Sequence, residues 1–214
     1  MKKILLLAVL VVCGASSAFS QTSFNVKAGV NLSNFMSDYD TKVKVGFKAG
    51  LGREYQFNEL ISLQPSLMVA TKGTKMGYFA TVGSVTSKTE FKVNQTYLEL
   101  PVLVGFRFYL GGNTNLVLSV GPYFGFGVGG KTKLSGNVNI PGLGDFGSSS
   151  STDTFGTDDD DMGLKRFDVG AAVGLAFEFG KFFVGIDSEF GFIDIAKDSF
   201  FADKVNNISV GVGV

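Results

Sequence analysis

The 214 residues carry 19 Lys and Arg against 19 Asp and Glu, contain no His, and include a single Cys at position 13. With no imidazole anywhere and the one thiol near the N-terminus, the commonest zinc ligands, general bases and nucleophiles are missing, so carboxylate chemistry is almost the only enzymatic route left. The balanced charge gives no footing for a nucleic-acid partner.

The chain opens with Lys2 and Lys3, continues through an apolar run over residues 4–13, and relaxes into small residues ending Ala18-Phe19-Ser20. This is the layout of a secretory signal peptide, which predicts cleavage after Ser20 and a mature domain over residues 21–214. The run is too short to span a bilayer. A lipoprotein reading of Cys13 is disfavoured by the bulky Val12 before it. Loss of the leader removes Cys13 and takes the 19 basic residues to 17 against 19 acidic ones, a slightly acidic mature chain without a thiol.

From Phe24 onward, apolar residues alternate with small or charged ones, and the two-residue period predicts strands near residues 23–32, 43–57, 60–71, 91–110, 116–130, 166–179, 182–193 and 205–214. The connections alternate in length. Those at 58–59, 111–115 and 180–181 are tight, whereas 33–42, 72–90, 131–165 and 194–204 are longer, as short periplasmic turns and long outer loops require. Aromatic residues flank the tight turns, including Tyr55, Phe57, Phe106, Phe108, Phe179 and Phe183, and read as an inner interfacial girdle.

One phase of these strands is built from Phe24, Val26, Val45, Phe47, Leu98, Val102, Val120 and Val173, the other from many Gly residues with Lys27, Lys44, Lys48, Glu54, Glu99, Arg107, Asp168, Glu178, Asp187 and Glu189. The second phase is too polar to face a packed soluble core, so the first must face lipid. The prediction is an all-β, eight-stranded antiparallel up-and-down transmembrane β-barrel. A barrel of that size is wide enough only for its own side chains, so its charges should neutralise one another in a plugged polar lumen. Arg53 falls in the lipid phase but close to the inner girdle, where it can reach the headgroups.

Three motifs invite chemistry. Residues 125–132 read G-F-G-V-G-G-K-T and match phosphate-loop spacing, but Gly alternating with Phe and Val is a strand, and no helix-forming stretch follows to meet a phosphate. Asp158, Asp159, Asp160 and Asp161 form a run of hard oxygen ligands in the third long connection; it reads as a solvated charge run, with Ca²⁺ or lipopolysaccharide-bound cations as the alternative, because it lacks the interleaved turn of a calcium loop. Asp187 and Glu189 share the inner face and have the makings of an acid/base pair, but lumen salt bridges explain them, and Tyr97, Glu99 and Arg107, more simply. No catalytic residue, cofactor or resident metal is expected.

Residues 27–35 (K-A-G-V-N-L-S-N-F) resemble the first strand of the PorT-like, or porin family, outer-membrane β-barrel proteins, which carry the outer membrane protein beta-barrel domain. Residues 63–67 (L-Q-P-S-L), 97–101 (Y-L-E-L-P), 121–123 (G-P-Y) and 167–170 (F-D-V-G) are similar to later blocks of that family. The resemblance implies export through the periplasm to the bacterial outer membrane and contact with lipid, lipopolysaccharide and the barrel insertion machinery. It implies no common activity. The function read from this is a non-enzymatic barrel with a structural or surface-interaction role, meeting an unidentified extracellular or envelope partner through its outer loops; the alternative is a narrow channel or an accessory barrel of a secretion machine. Such barrels usually end on an aromatic residue, whereas this sequence stops at Val214.

Overall fold

The computed structural model describes residues 21–36, 41–140, 142, 144–155, 164–196 and 205–214. The leader and the Asp158 to Asp161 run lie outside the described residues. Ten antiparallel strands are formed: β1 (Gln21–Met36), β2 (Lys42–Gln56), β3 (Ile61–Val82), β4 (Val85–Gly111), β5 (Thr114–Gly129), β6 (Lys131–Ile140), β7 (Gly144–Asp153), β8 (Phe167–Phe179), β9 (Phe182–Gly191) and β10 (Asn206–Gly213). Their order is β3-β2-β1-β10-β9-β8-β5-β4-β6-β7, and β3 also pairs with β4, so all except β6 and β7 close into a ring of eight. The seam joins first strand to last, with Gly29 opposite Gly213 and Phe35 opposite Asn207.

The faces separate as the two-residue period demands. Val26 is 72 % exposed and Phe47 59 %, while Tyr97 and Asp168 are 0 % and Lys72 is 1 %. A soluble protein inverts this arrangement, because it hides its apolar phase; a lipid-facing barrel does not. On β4 the outward apolar residues run from Leu98 to Leu110, which at strand rise and barrel tilt spans about 30 Å, the height of a hydrocarbon layer. Tight turns at one end are made by Gly112 and Gly180, whose φ values of 60° and 63° suit only glycine.

Two of the expected long loops are strand. β3 and β4 continue past the ring to Val82 and Val85, joined by a turn at Gly83, where a coil was expected over 72–90. The expected coil over 131–165 contains the β6–β7 hairpin, and β6 takes the edge of β4 that β5 leaves near Thr96, pairing Thr132 with Val93 through Asn139 with Thr86. The reason is that apolar alternation ends where lipid ends. Beyond that level a strand needs only a hydrogen-bonding neighbour, and Thr, Lys and Ser serve on either face. The result is a four-stranded sheet, β3-β4-β6-β7, standing beyond one end of the barrel. Phe183 also departs from the girdle reading, since it alternates inward from the exposed Phe182 and lines the lumen.

Candidate functional site: the charged lumen and the sheet above it

The inward residues fall into layers. At the tight-turn end, Arg107 on β4 lies between Glu54 on β2 and Glu178 on β8, with both ion pairs at 3.0 Å. Gln64 donates to Glu54 at 3.1 Å and Ser119 donates to Gln64 at 3.0 Å, so the carboxylate oxygens facing the guanidinium are held in place. Above this layer Lys48 pairs with Asp187, and Lys27 donates to Ser66 at 3.0 Å. A cavity of about 150 Å³ opens here, bounded by Lys27, Lys48, Glu54, Met68, Leu103 and Asp187.

The middle layer is the most enclosed. Lys72 on β3 reaches Glu99 on β4 at 2.6 Å and Glu189 on β9 at 2.7 Å, and its ammonium lies 4.6 Å from the centre of the Tyr123 ring and 5.7 Å from that of Tyr97. Ser209 donates to Glu189 at 3.1 Å; Asp168 accepts from Tyr123 at 3.1 Å and from Asn207 at 2.8 Å. Lys44, nearer the open end, donates to the Lys72 carbonyl at 2.9 Å. Buried charges persist only with such partners.

An apolar layer follows at the far end. Phe35, Val93, Tyr97, Phe155, Leu164, Ile195, Ala196 and Val205 form one buried cluster. Phe155, just past β7, meets Tyr97 edge-on at 5.4 Å and sits against Gly127, where any Cβ would strike its ring. The Arg166 guanidinium donates to the carbonyls of Phe155 and Gly127, and the Asp194 carboxylate accepts from the backbone N–H groups of Ala196 and Val205 at 3.0 Å each, which fixes the segments carrying this cluster.

All ten charged residues assigned from sequence to a lumen network therefore lie in these layers, but not in one site. Asp187 and Glu189 belong to separate ion pairs, to Lys48 and to Lys72, and Glu99 and Arg107 sit in different layers. Lys72, which the sequence places at the start of the 72–90 connection, instead continues the inward phase Ser66, Met68, Ala70 on β3, so parity extended by one step identifies it. Gly125, Gly127 and Gly129 of the phosphate-loop-like motif lie on β5, Gly130 falls between the strands, and Lys131 and Thr132 open β6. Among the described residues, no group of three or more His, Cys, Asp or Glu is placed to hold a metal ion. Arg53 lies over the Phe24 and Tyr55 rings at 4.6 and 5.2 Å.

Above the ring, the sheet carries cross-strand rows. Lys42 is opposite Lys75, Lys75 opposite Lys92, and Lys92 opposite Lys133. Lys92 contacts Glu90 at 3.1 Å, and this ammonium, with Lys88 and Lys75 nearby, holds the Glu90 carboxyl below the usual carboxylate range.

Residues 18–197 match the family model described as outer membrane protein beta-barrel domain. Similar solved structures include Ail, the attachment invasion locus protein of Yersinia pestis, at 15 % identity over 89 % of this chain and 94 % of that one, with a TM-score of 0.35. Neisserial surface protein A is similar at 14 % identity over 91 % and 97 % of the two chains, also with a TM-score of 0.35. The KdgM porin in complex with oligogalacturonate follows at 15 %, 87 % and 97 %, with a TM-score of 0.20. No curated protein matches. At these values no ligand or activity is carried over from any of them.

Proposed function

Because the chain belongs to the outer membrane protein beta-barrel domain family, we propose that it is a non-enzymatic outer-membrane barrel whose lumen is plugged and whose working surface is the β3-β4-β6-β7 sheet, displayed outside the cell. The observation that carries this reading is the filling of the lumen at three levels: the Arg107 layer, the Lys72 layer and the apolar cluster around Phe155. Every described lumen carboxylate named above already serves an ion pair or a hydrogen-bond network, which leaves none poised as an acid or base towards a substrate. Tight turns belong on the periplasmic side of bacterial barrels, so the long hairpins face outward.

Planar-bilayer recording of the refolded protein tests the plug. No steady conductance is expected; a defined, ion-selective conductance would establish the second reading, a narrow channel or an accessory barrel of the PorT-like kind. The observation favouring that reading is the cavity beside Lys27, Lys48 and Asp187. The leader and the insertion machinery belong to the same proposal, tested by N-terminal sequencing of the protein from outer membranes, where Gln21 is the expected first residue.

A further inference from the structure

Over one stretch the inward phase of β8, β9 and β10 is built from small residues: Ala172, Gly174 and Ala176, with Gly185 opposite Ala176 and Gly213 opposite Gly185. Side chains that short leave the lumen unfilled. The cavity of about 150 Å³ is the space they give up, bounded by Glu54 and Glu178 of the Arg107 layer on one side and by Glu189 of the Lys72 layer on the other. Met68 on β3, Leu103 on β4, Val117 on β5 and Phe183 on β9 supply the apolar part of its wall. A cavity of this volume holds one aromatic ring.

The charges at this wall are committed to one another, with one exception. Glu54 and Glu178 hold Arg107, Glu189 holds Lys72, and Asp187 and Lys48 neutralise each other. Among the described residues, Lys27 has no carboxylate at ion-pair distance, and its ammonium meets the neutral hydroxyl of Ser66 at 3.0 Å. An ammonium carries three N–H groups, and a desolvated one without a counter-ion is costly, so an anion entering the cavity meets donors that the chain itself does not satisfy. Solvent reaches this point from one end. The side chains of Asp187 and Glu178 are 30 % and 23 % exposed, whereas those of Glu99 and Lys72 are 2 % and 1 %, so the cavity is open towards the tight turns and closed at the Lys72 layer.

We propose that this cavity is a periplasm-facing pocket for a small monocarboxylate with a compact apolar body of one-ring size, its carboxylate accepting from Lys27 and its body lying against Met68 and Leu103. The cation sets the charge of the ligand, and the closed end sets its length. The inference rests on the orientation given above, with the tight turns towards the periplasm.

The test titrates benzoate into the full mature chain, refolded in detergent with its methionine methyl groups labelled with carbon-13. The Met68 resonance, assigned with Met68→Leu, reports on the cavity, and Met36 and Met76 serve as controls outside it. Benzoate should shift the Met68 methyl saturably and leave the other two in place. Benzamide, its neutral isostere, should bind at least about tenfold more weakly, the factor that a hydrogen bond to a charged group contributes, and so should acetate, which lacks the ring. Lys27→Met keeps most of the volume and should bind benzoate no better than benzamide. At Gly174 an added Cβ meets nothing closer than 3.7 Å, so Gly174→Val fills the cavity without moving its wall and should abolish the shift in a barrel that still changes mobility on boiling. That variant keeps the test decisive if Lys27→Met fails to fold. Equal affinity of wild type for benzoate and benzamide overturns the proposal. So does a Met68 shift that survives Gly174→Val, or acetate bound as tightly as benzoate. A Ser148→Cys substitution, in a mature chain without Cys13, separates this inference from the reading beneath it. No Met68 shift, with labelling by an impermeant maleimide on intact cells, sinks the pocket and leaves the orientation; a saturable shift with labelling only after lysis sinks the orientation, and with it the side from which ligand enters.

Discussion

Replacing Lys72 by Met is the sharpest probe of the lumen. Lys72 is 1 % exposed and serves two carboxylates, Glu99 at 2.6 Å and Glu189 at 2.7 Å. The substitution keeps most of the volume and removes the ammonium that both carboxylates share. Breaking a buried pair from one side costs about 3–5 kcal/mol, because the remaining charge stays desolvated; with two carboxylates stranded, the upper half of that range is expected. By contrast, an exposed pair such as Glu90 and Lys92 is worth about 0–1 kcal/mol. The assay is urea unfolding of the protein in lipid vesicles, followed by tyrosine fluorescence and by gel mobility without boiling. The combined variant Lys72→Met/Glu99→Gln/Glu189→Gln should recover most of the loss, since no charge is then left unpaired, and the shortfall from additivity measures the coupling. If Lys72→Met unfolds within about 1 kcal/mol of wild type, or if the triple variant is no better than the single one, the layer is not the buried ion cluster described here.

The closed ring should make unboiled and boiled samples migrate differently on a denaturing gel, because no strand of the ring offers a free edge for detergent to peel; identical migration after refolding would count against it. Val102→Arg puts a charge on the outward face of β4 midway between Leu98 and Phe106 and should cost about 2–4 kcal/mol in vesicle refolding, whereas Ser119→Thr in the lumen should cost far less. Gly127→Val should drive the Phe155 ring from its place against Tyr97, with the outcome read as new protease cleavage near position 155 in an otherwise heat-modifiable barrel. Replacing residues 133–151 by a short Gly-Ser link should leave insertion intact, since β6 pairs only with β7 and the part of β4 beyond the ring.

Strand phase, ring size and the inward set were legible because lipid on one side and a narrow lumen on the other impose opposite demands on successive residues. Lys27, Lys48, Asp187 and Arg107 could be assigned inward from parity alone. Which charge meets which could not, because Lys48 and Asp187 become neighbours only through β1 and β10 between them, a matter of register across the seam. The same rule failed where its cause stopped acting. Past Thr71 on β3 and before Phe91 on β4, no lipid enforces apolar alternation, so Lys72 and the extended hairpin looked like coil. The apolar cluster around Phe155 was illegible for a different reason: Phe155, Leu164 and Ile195 come from connections without periodicity and meet Val205, at the start of the strand predicted over 205–214, only after the ring exists.

That the ring is sealed between β1 and β10 has a consequence for how the molecule is made. The first strand cannot find its second neighbour until the last has been synthesised and exported, so no partial product is a smaller version of the whole. Pairing of the chain's two extremes is slow, and an unsealed sheet leaves its greasy face bare in an aqueous compartment meanwhile. Closure of the seam is then the slow step, and substitutions at Gly29, Asn31, Gly211 or Gly213 should show first as lost yield in the membrane rather than as a weaker finished barrel.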